Sequence, residues 1–302
     1  MQIEMDSIED QLASARQEIR VSHGSRLAVV RELLQLGVDL GHEWPGRKAD
    51  SERVEDALVA IIVARSLTTG WAAYELSTNG FGGQAQMLNR SLFEDMVDAH
   101  WVTVEPARAA ERYRNHFDHS RMLDAVRAQG DDEGMELPTF DAAERRRLDA
   151  LYGRYGDKSW TGLGLKVRVD AIEHLWKDSD RRAELHRFRR FAHRDNNQTL
   201  HLSARGMDAL LIEDPTGLRI KTGPQPERLI EATLGTWFLL LETLSLSLDH
   251  FEVQGQHRKR LENLAQRSWV FRTPTLESLK AAGRNGLCPC GSGNKAKRCH
   301  AA

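Results

Sequence analysis

Pro226-Glu-Arg-Leu-Ile-Glu-Ala-Thr-Leu-Gly-Thr-Trp237-Phe-Leu-Leu-Leu-Glu-Thr-Leu-Ser-Leu-Ser-Leu-Asp-His-Phe251 is the most apolar segment of this 302-residue chain. A segment of that length and character belongs at the centre of a hydrophobic core. Outward from it the apolar residues recur with helical spacing. Upstream, Ile8 to Val38 repeats Leu12, Ile19, Leu27, Val30, Leu33 and Leu34 on one face. Glu55 to Leu76 is apolar almost throughout and is ended by Gly80, and Met87 to Trp101 forms a third pattern that stops before Pro106. Ala107 to Arg127, Asp141 to Tyr155, Lys166 to Trp176 and Asp180 to Ala192 continue the series, broken at Gly153, Gly156, Gly162 and Gly164. The acidic stretch at 130–134 is expected to be a loop, and Leu210 to Ile220, centred on Asp214-Pro-Thr-Gly217, a short hairpin or extended excursion. A last helix is expected from Gln256 to Trp269, leading through Pro274 toward the C-terminus.

These patterns predict a mainly α protein: a multi-helix bundle with one hairpin excursion and a small C-terminal knuckle. The expected organisation is an N-terminal helical segment (1–52), a helical body (53–273), a linker (274–283) and a terminal motif (284–302). Hydrophobic residues make up 40% of the chain and charged residues 28%, which excludes disorder and fibrous classes. The acidic start Met1-Gln-Ile-Glu-Met-Asp is unlike a signal peptide, and no apolar run is expected to reach the length of a membrane span. The expected location is the cytoplasm, where thiols serve metals rather than disulfides.

All three cysteines fall in the last stretch, Gly283-Arg-Asn-Gly-Leu-Cys288-Pro-Cys290-Gly-Ser-Gly-Asn-Lys-Ala-Lys-Arg-Cys299-His300. Cys288 and Cys290 flank a proline and can reach one ion from a tight turn, while Cys299 and His300 close the shell. Three thiolates and one imidazole make a closed tetrahedral site of the structural kind, so one Zn2+ per chain is expected. So short a tail has no core, and metal binding must supply its order.

The run Gly-Arg-Asn, Cys-Pro-Cys-Gly-Ser-Gly, basic residues and Cys-His resembles the SEC-C motif, the zinc-binding tail known from the SecA-type translocase motor. The resemblance implies zinc on Cys288, Cys290, Cys299 and His300, and docking onto a partner such as a SecB-like chaperone or the ribosome. This chain departs from the usual motif at Gly286 and Leu287, where an acidic residue and a proline are common, and at Ala296, where an aromatic is common. The net charge is −2, yet Arg284, Lys295, Lys297 and Arg298 place four cations and no acid after residue 283, leaving −6 for the remainder. With Asn285 they form the expected docking residues. Such a cationic knob suits an acidic protein surface or nucleic acid phosphates.

Within the body, Arg65 lies in Ile61-Ile-Val-Ala-Arg-Ser-Leu and Arg90 and Glu94 lie in Met87-Leu-Asn-Arg-Ser-Leu-Phe-Glu. Charges embedded in such apolar runs need partners, and Arg65, Arg90 and Glu94 are expected to form a polar network that could include His201. His116 and His119 are expected on a solvated face. The arginine helix, Arg-Ser-Leu-Phe-Glu and the later Phe191-Ala-His-Arg-Asp-Asn-Asn-Gln-Thr-Leu-His201 resemble a bacterial helical family of unknown function, over roughly residues 55 to 250. That family is reminiscent of HEPN proteins, which include metal-independent ribonucleases using a spaced arginine and histidine. The resemblance offers an alternative, a ribonuclease, toxin or defence effector with Arg194, Asp195, Asn196 and His201 as its site. The spacing alone decides nothing, because Arg114 with His119 and Arg181 with His186 satisfy it as well.

Overall fold

The structure, a computed structural model, describes residues 8–43, 53–128, 139–152, 159–174, 179–190, 211–214, 217–220, 223–224, 228–271, 276–289 and 295–296. The elements are α1 (Ile8–Glu43), α2 (Val54–Thr78), α3 (Gly82–Val104), α4 (Pro106–Ala128), α5 (Ala142–Tyr152), α6 (Leu165–Glu173) and α7 (Ser179–Phe188), followed by β1 (Leu211–Asp214) and β2 (Gly217–Ile220). After these come α8 (Leu229–His250), α9 (Gln256–Gln266), a 3-10 turn (Arg267–Phe271) and α10 (Leu276–Ala282). The protein is mainly α, and the expected hairpin is present as an antiparallel pair in the register Leu211 to Ile220 and Asp214 to Gly217. The acidic loop at 130–134 lies outside the described residues.

The chain forms two compact units that interleave along the sequence. Residues 1–47, 63–96 and 184–302 make the first, and 48–62 with 97–183 the second. α2 and α3 each run through both.

In the first unit α8 is the core helix, as its sequence predicts. It buries Leu229, Ala232, Trp237, Leu239, Leu240, Leu244 and Leu248. α1 packs along it with Leu33, Leu34, Leu36 and Leu40 fully buried. Gly70 of α2 lets these helices approach, since a Cβ there would lie 2.9 Å from both Leu240 and Leu34 methyl carbons. Aromatic contacts extend the core, with Phe188 stacked on Phe238 at 4.2 Å and Trp237 against Phe271 at 5.1 Å. Arg260 of α9 reaches Asp39 of α1 at 2.7 Å and holds its carboxyl below the usual carboxylate range, with help from Gln35. α3 meets α8 through a polar contact. The fully buried Asn89 donates to the Ala232 carbonyl at 2.9 Å and accepts from the Thr236 hydroxyl at 2.8 Å.

α2 and α8 are both long and apolar enough to cross a membrane by length and composition alone, which corrects the expectation that no run approaches that length. In α8 the Thr233, Thr243 and Ser247 hydroxyls donate back to carbonyls one turn earlier, so they do not break the apolar character of the helix.

In the second unit α5 begins at Asp141, whose carboxylate accepts the amides of Ala143 and Glu144 at 2.8 Å each. α5 packs on α4 through Met122, Leu148 and Tyr152, with Leu123, Phe140 and Leu151 around them. Residues 276–282, expected to be linker, are helical as α10, because Leu276-Glu-Ser-Leu-Lys-Ala-Ala has good helix formers throughout.

Asn89→Ala removes both contacts of that side chain inside a close-packed core. The unfolding free energy should fall by about 2 kcal/mol. Urea denaturation checks this, with the midpoint shifted and the slope unchanged.

Candidate functional site

The terminal motif starts where α10 ends. Gly283, at φ 65°, donates its amide to the carbonyls of Leu279 and Lys280, and the Gly286 amide returns to the Gly283 carbonyl at 3.2 Å. Leu287 and Lys295 then form an antiparallel bridge, and the Ala296 amide donates to the Gly286 carbonyl at 2.9 Å. This doubling-back places residues eight positions apart side by side. Cys288 is buried, 4% exposed, and Ala296 is buried as well. Arg284, Asn285 and Lys295 are exposed, and Leu287 is 70% exposed.

Two departures from the usual motif acquire physical reasons. A Cβ on Gly286 would lie 2.0 Å from the Ala282 carbonyl oxygen, so the acidic residue common at that position would not fit without moving backbone. Ala296 is buried, so the position is not a surface anchor here. Of the four expected ligands Cys288 is the one described; Cys290, Cys299 and His300, with the docking residues Lys297 and Arg298, lie outside the described residues. Among the described residues no group of three or more His, Cys, Asp or Glu side chains is gathered to hold a metal. The donor chemistry of the tail fits zinc. A small buried thiol on a turn that returns to Lys295 and Ala296 leaves Cys299 and His300 only three and four residues farther on.

Among the polar residues of the helical body, Arg65 sits differently from the expectation. Arg65 is exposed, not embedded, and reaches inward to Asp95, whose side chain is 0% exposed while that of Arg65 is 58% exposed. Its Nε donates to Asp95 Oδ1 at 2.7 Å, a second guanidinium nitrogen meets the same oxygen, and Ser66 Oγ donates to Oδ2 at 3.3 Å. Arg90 and Glu94 instead pair with each other across one helical turn at 3.2 Å, both partly exposed. Asp95 was missed in the sequence, although a carboxylate between Phe93 and Met96 on an apolar helix was itself the signal.

In the second unit Asp98 is buried with Arg168, which pairs with its Oδ1, and Trp160, whose Nε1 donates to Oδ2 at 2.9 Å. Trp160 also meets Trp101 and Tyr113 edge-on. The histidines of α4 are not on a solvated face. His119 is buried and stacks on Tyr152 at 4.8 Å, and His116 meets the same ring edge-on at 5.4 Å. The Tyr152 hydroxyl donates to the Arg112 carbonyl, and burial pushes its pKa up to about 12. A phenol so held stays neutral and packs. Arg194, Asp195, Asn196 and His201 lie outside the described residues.

Residues 56–218, more than half of the chain, match the model of a family of unknown function, DUF5677. The chain belongs to that family. The DUF5677 region includes Arg65, Asp95, Asp98 and Arg168 and stops before α8. Residues 284–302 match the SEC-C motif. The chain is also similar to the protein translocase subunit SecA of Bordetella petrii, 25% identical over 245 residues covering 72% of this chain and 24% of the relative. The SecA subunit of Cupriavidus necator is 25% identical over 232 residues, covering 68% and 24%. The chain spans about a quarter of the length of these relatives. No solved structure matches. Neither the DUF5677 match nor these relatives bear on the HEPN resemblance.

The two arginine pairs of the DUF5677 region should respond differently to truncation. Arg65→Ala strands the buried Asp95 carboxylate and should cost about 2 kcal/mol, less than a wholly buried pair because water reaches the guanidinium. The Arg90 to Glu94 pair, partly exposed on both sides, should show a coupling of less than about 0.5 kcal/mol in a double-mutant cycle. Thermal and urea unfolding of these variants decides the matter.

Proposed function

We propose that residues 284–302 form a zinc-held docking tail that carries the helical DUF5677 body to an acidic surface on a protein partner in the cytoplasm. Cys288, Cys290, Cys299 and His300 would hold one Zn2+. The ion when bound would cross-link the two limbs of the tail and supply the order that so short a segment lacks. The observation that carries the reading is the return of the chain at Leu287 and Lys295, which buries Cys288 while turning Arg284, Asn285 and Lys295 to solvent. Lys297 and Arg298 add two charges to the same short segment. Bound zinc with three thiolates contributes about −1, so the knob remains cationic.

The match to the SEC-C motif and the likeness to translocase subunits support a protein partner. A SecB-like chaperone or the ribosome is the kind of partner that the motif's resemblance implies, and nucleic acid is the competing outcome. Charges presented from a metal-held loop need little further ordering on binding, so they set specificity and encounter rate.

Elemental analysis of purified protein should give about one zinc per chain, falling to near zero in Cys288→Ser. Metal unchanged by that substitution rejects the ligand set. For docking, Lys295, Lys297 and Arg298 replaced together by alanine should keep the zinc yet capture less partner from native lysate, with the loss larger at low salt. Sensitivity of the captured material to ribonuclease separates nucleic acid from protein. Equal capture by wild-type, charge-stripped and tail-deleted chains would reduce the tail to a stabilising cap.

A further inference from the structure

A cleft of about 830 Å³ opens between α1 and α2 within the first unit, remote in sequence from the tail. That volume is within the range of small-molecule sites. Its charged lining is Arg16, Arg20 and Arg31 against Glu32 and Glu75. Glu32 is already paired with Arg267 at 2.5 Å, which leaves three guanidiniums facing one carboxylate. Asn79 Oδ1 accepts from Arg16 Nε at 2.7 Å and so fixes that side chain while leaving its terminal nitrogens for another acceptor. Among the described residues Arg20 and Arg31 have no hydrogen-bonded or ion-pair partner, and both are exposed to the cleft's open side.

The spacing discriminates between anions. Arg16 and Arg20 stand one helical turn apart, about 6 Å along α1, so both can meet one compact group. A carboxylate is satisfied by a single bidentate guanidinium, whereas a phosphate ester has three terminal oxygens and accommodates two. Between this pair and Arg31, about 16 Å along the helix from Arg20, the α1 wall of the cleft is made by Gly24, Leu27 and Ala28, with no polar side chain. Leu27 is buried there within a cluster that includes Ile19, and Tyr74 packs against it. Gly24 leaves a trough in the wall, with nothing within 4 Å of the position its Cβ would take.

The structure assigns this cleft as a binding site for an organic phosphate, with the phosphate on Arg16 and Arg20 and an apolar body in the trough over Gly24, Leu27 and Tyr74. The same chemistry occurs in a soluble phosphate ester and in a lipid phosphate headgroup.

Isothermal titration calorimetry of the full chain with 1-naphthyl phosphate, 1-naphthoate, 1-naphthol and inorganic phosphate tests it. The naphthyl phosphate should bind one site per chain, about tenfold or more tighter than any of the other three. Arg20→Ala should weaken it by about tenfold. Gly24→Leu, which fills the trough from a helical position with open space and better helix propensity, should abolish binding while circular dichroism and melting temperature are kept or raised. Sedimentation with phosphatidylcholine vesicles containing phosphatidic acid, lost in both variants, assigns the phosphate to a lipid; naphthyl phosphate binding without sedimentation assigns a soluble ester. No preference for naphthyl phosphate over the other three probes, or affinity retained in both variants, overturns the assignment.

Discussion

A buried carboxamide must find partners for both its ends, and Asn89 finds them on one helix, at the Ala232 carbonyl and the Thr236 hydroxyl. The contact fixes α3 and α8 in both rotation and register, because a slide by one residue would leave the amide unsatisfied in an apolar interior. Gly235 lies directly opposite, where a Cβ would be 2.3 Å from Asn89 Nδ2, so the helices are held at a separation that no larger residue allows. Around this point the apolar faces of α1 and α2 close with ordinary close packing. Hydrophobic burial supplies most of the stabilisation, and Asn89 selects which packing is adopted.

Periodicity reported the helices well because it reports burial along a single element. Ile19, Leu27, Val30, Leu33 and Leu34 repeat as a helix must and are buried, and Leu211–Asp214 and Gly217–Ile220 pair as two antiparallel strands. What periodicity omits is the partner across space. Arg65 among apolar neighbours reads as buried, yet one guanidinium can stand in water and still compensate Asp95 from the rim. His119 reads as part of a polar face with Arg112, Arg114 and Asp118, but a tyrosine arriving from α5 covers it. Neither outcome depends on residues within reach along the chain.

The tail shows the converse, since its likeness to the SEC-C motif was legible without any packing pattern. Cysteines concentrated in one short stretch have few uses in a chain that lacks others, and Cys288 is buried as a ligand's thiol would be. The meaning of Gly286 and Ala296 was not legible. One is set by the approach of the Ala282 carbonyl and the other by the burial of Ala296, and both follow from backbone placement.

The interleaving of the two units bears on how the chain is made. Residues 48–62 and 97–183, which form one unit, have all emerged from the ribosome while the other still lacks α8, α9 and the final turn. α1 contributes Leu33, Leu34, Leu36 and Leu40 to a core that lacks α8 until that helix, nearly two hundred residues later, is synthesised; its ion pair from Asp39 to Arg260 spans 221 positions. During translation at about 5–20 residues per second that interval lasts on the order of ten seconds or more. For that time α1 lacks its contact with α8, and the first unit completes its core only once α8 has been made.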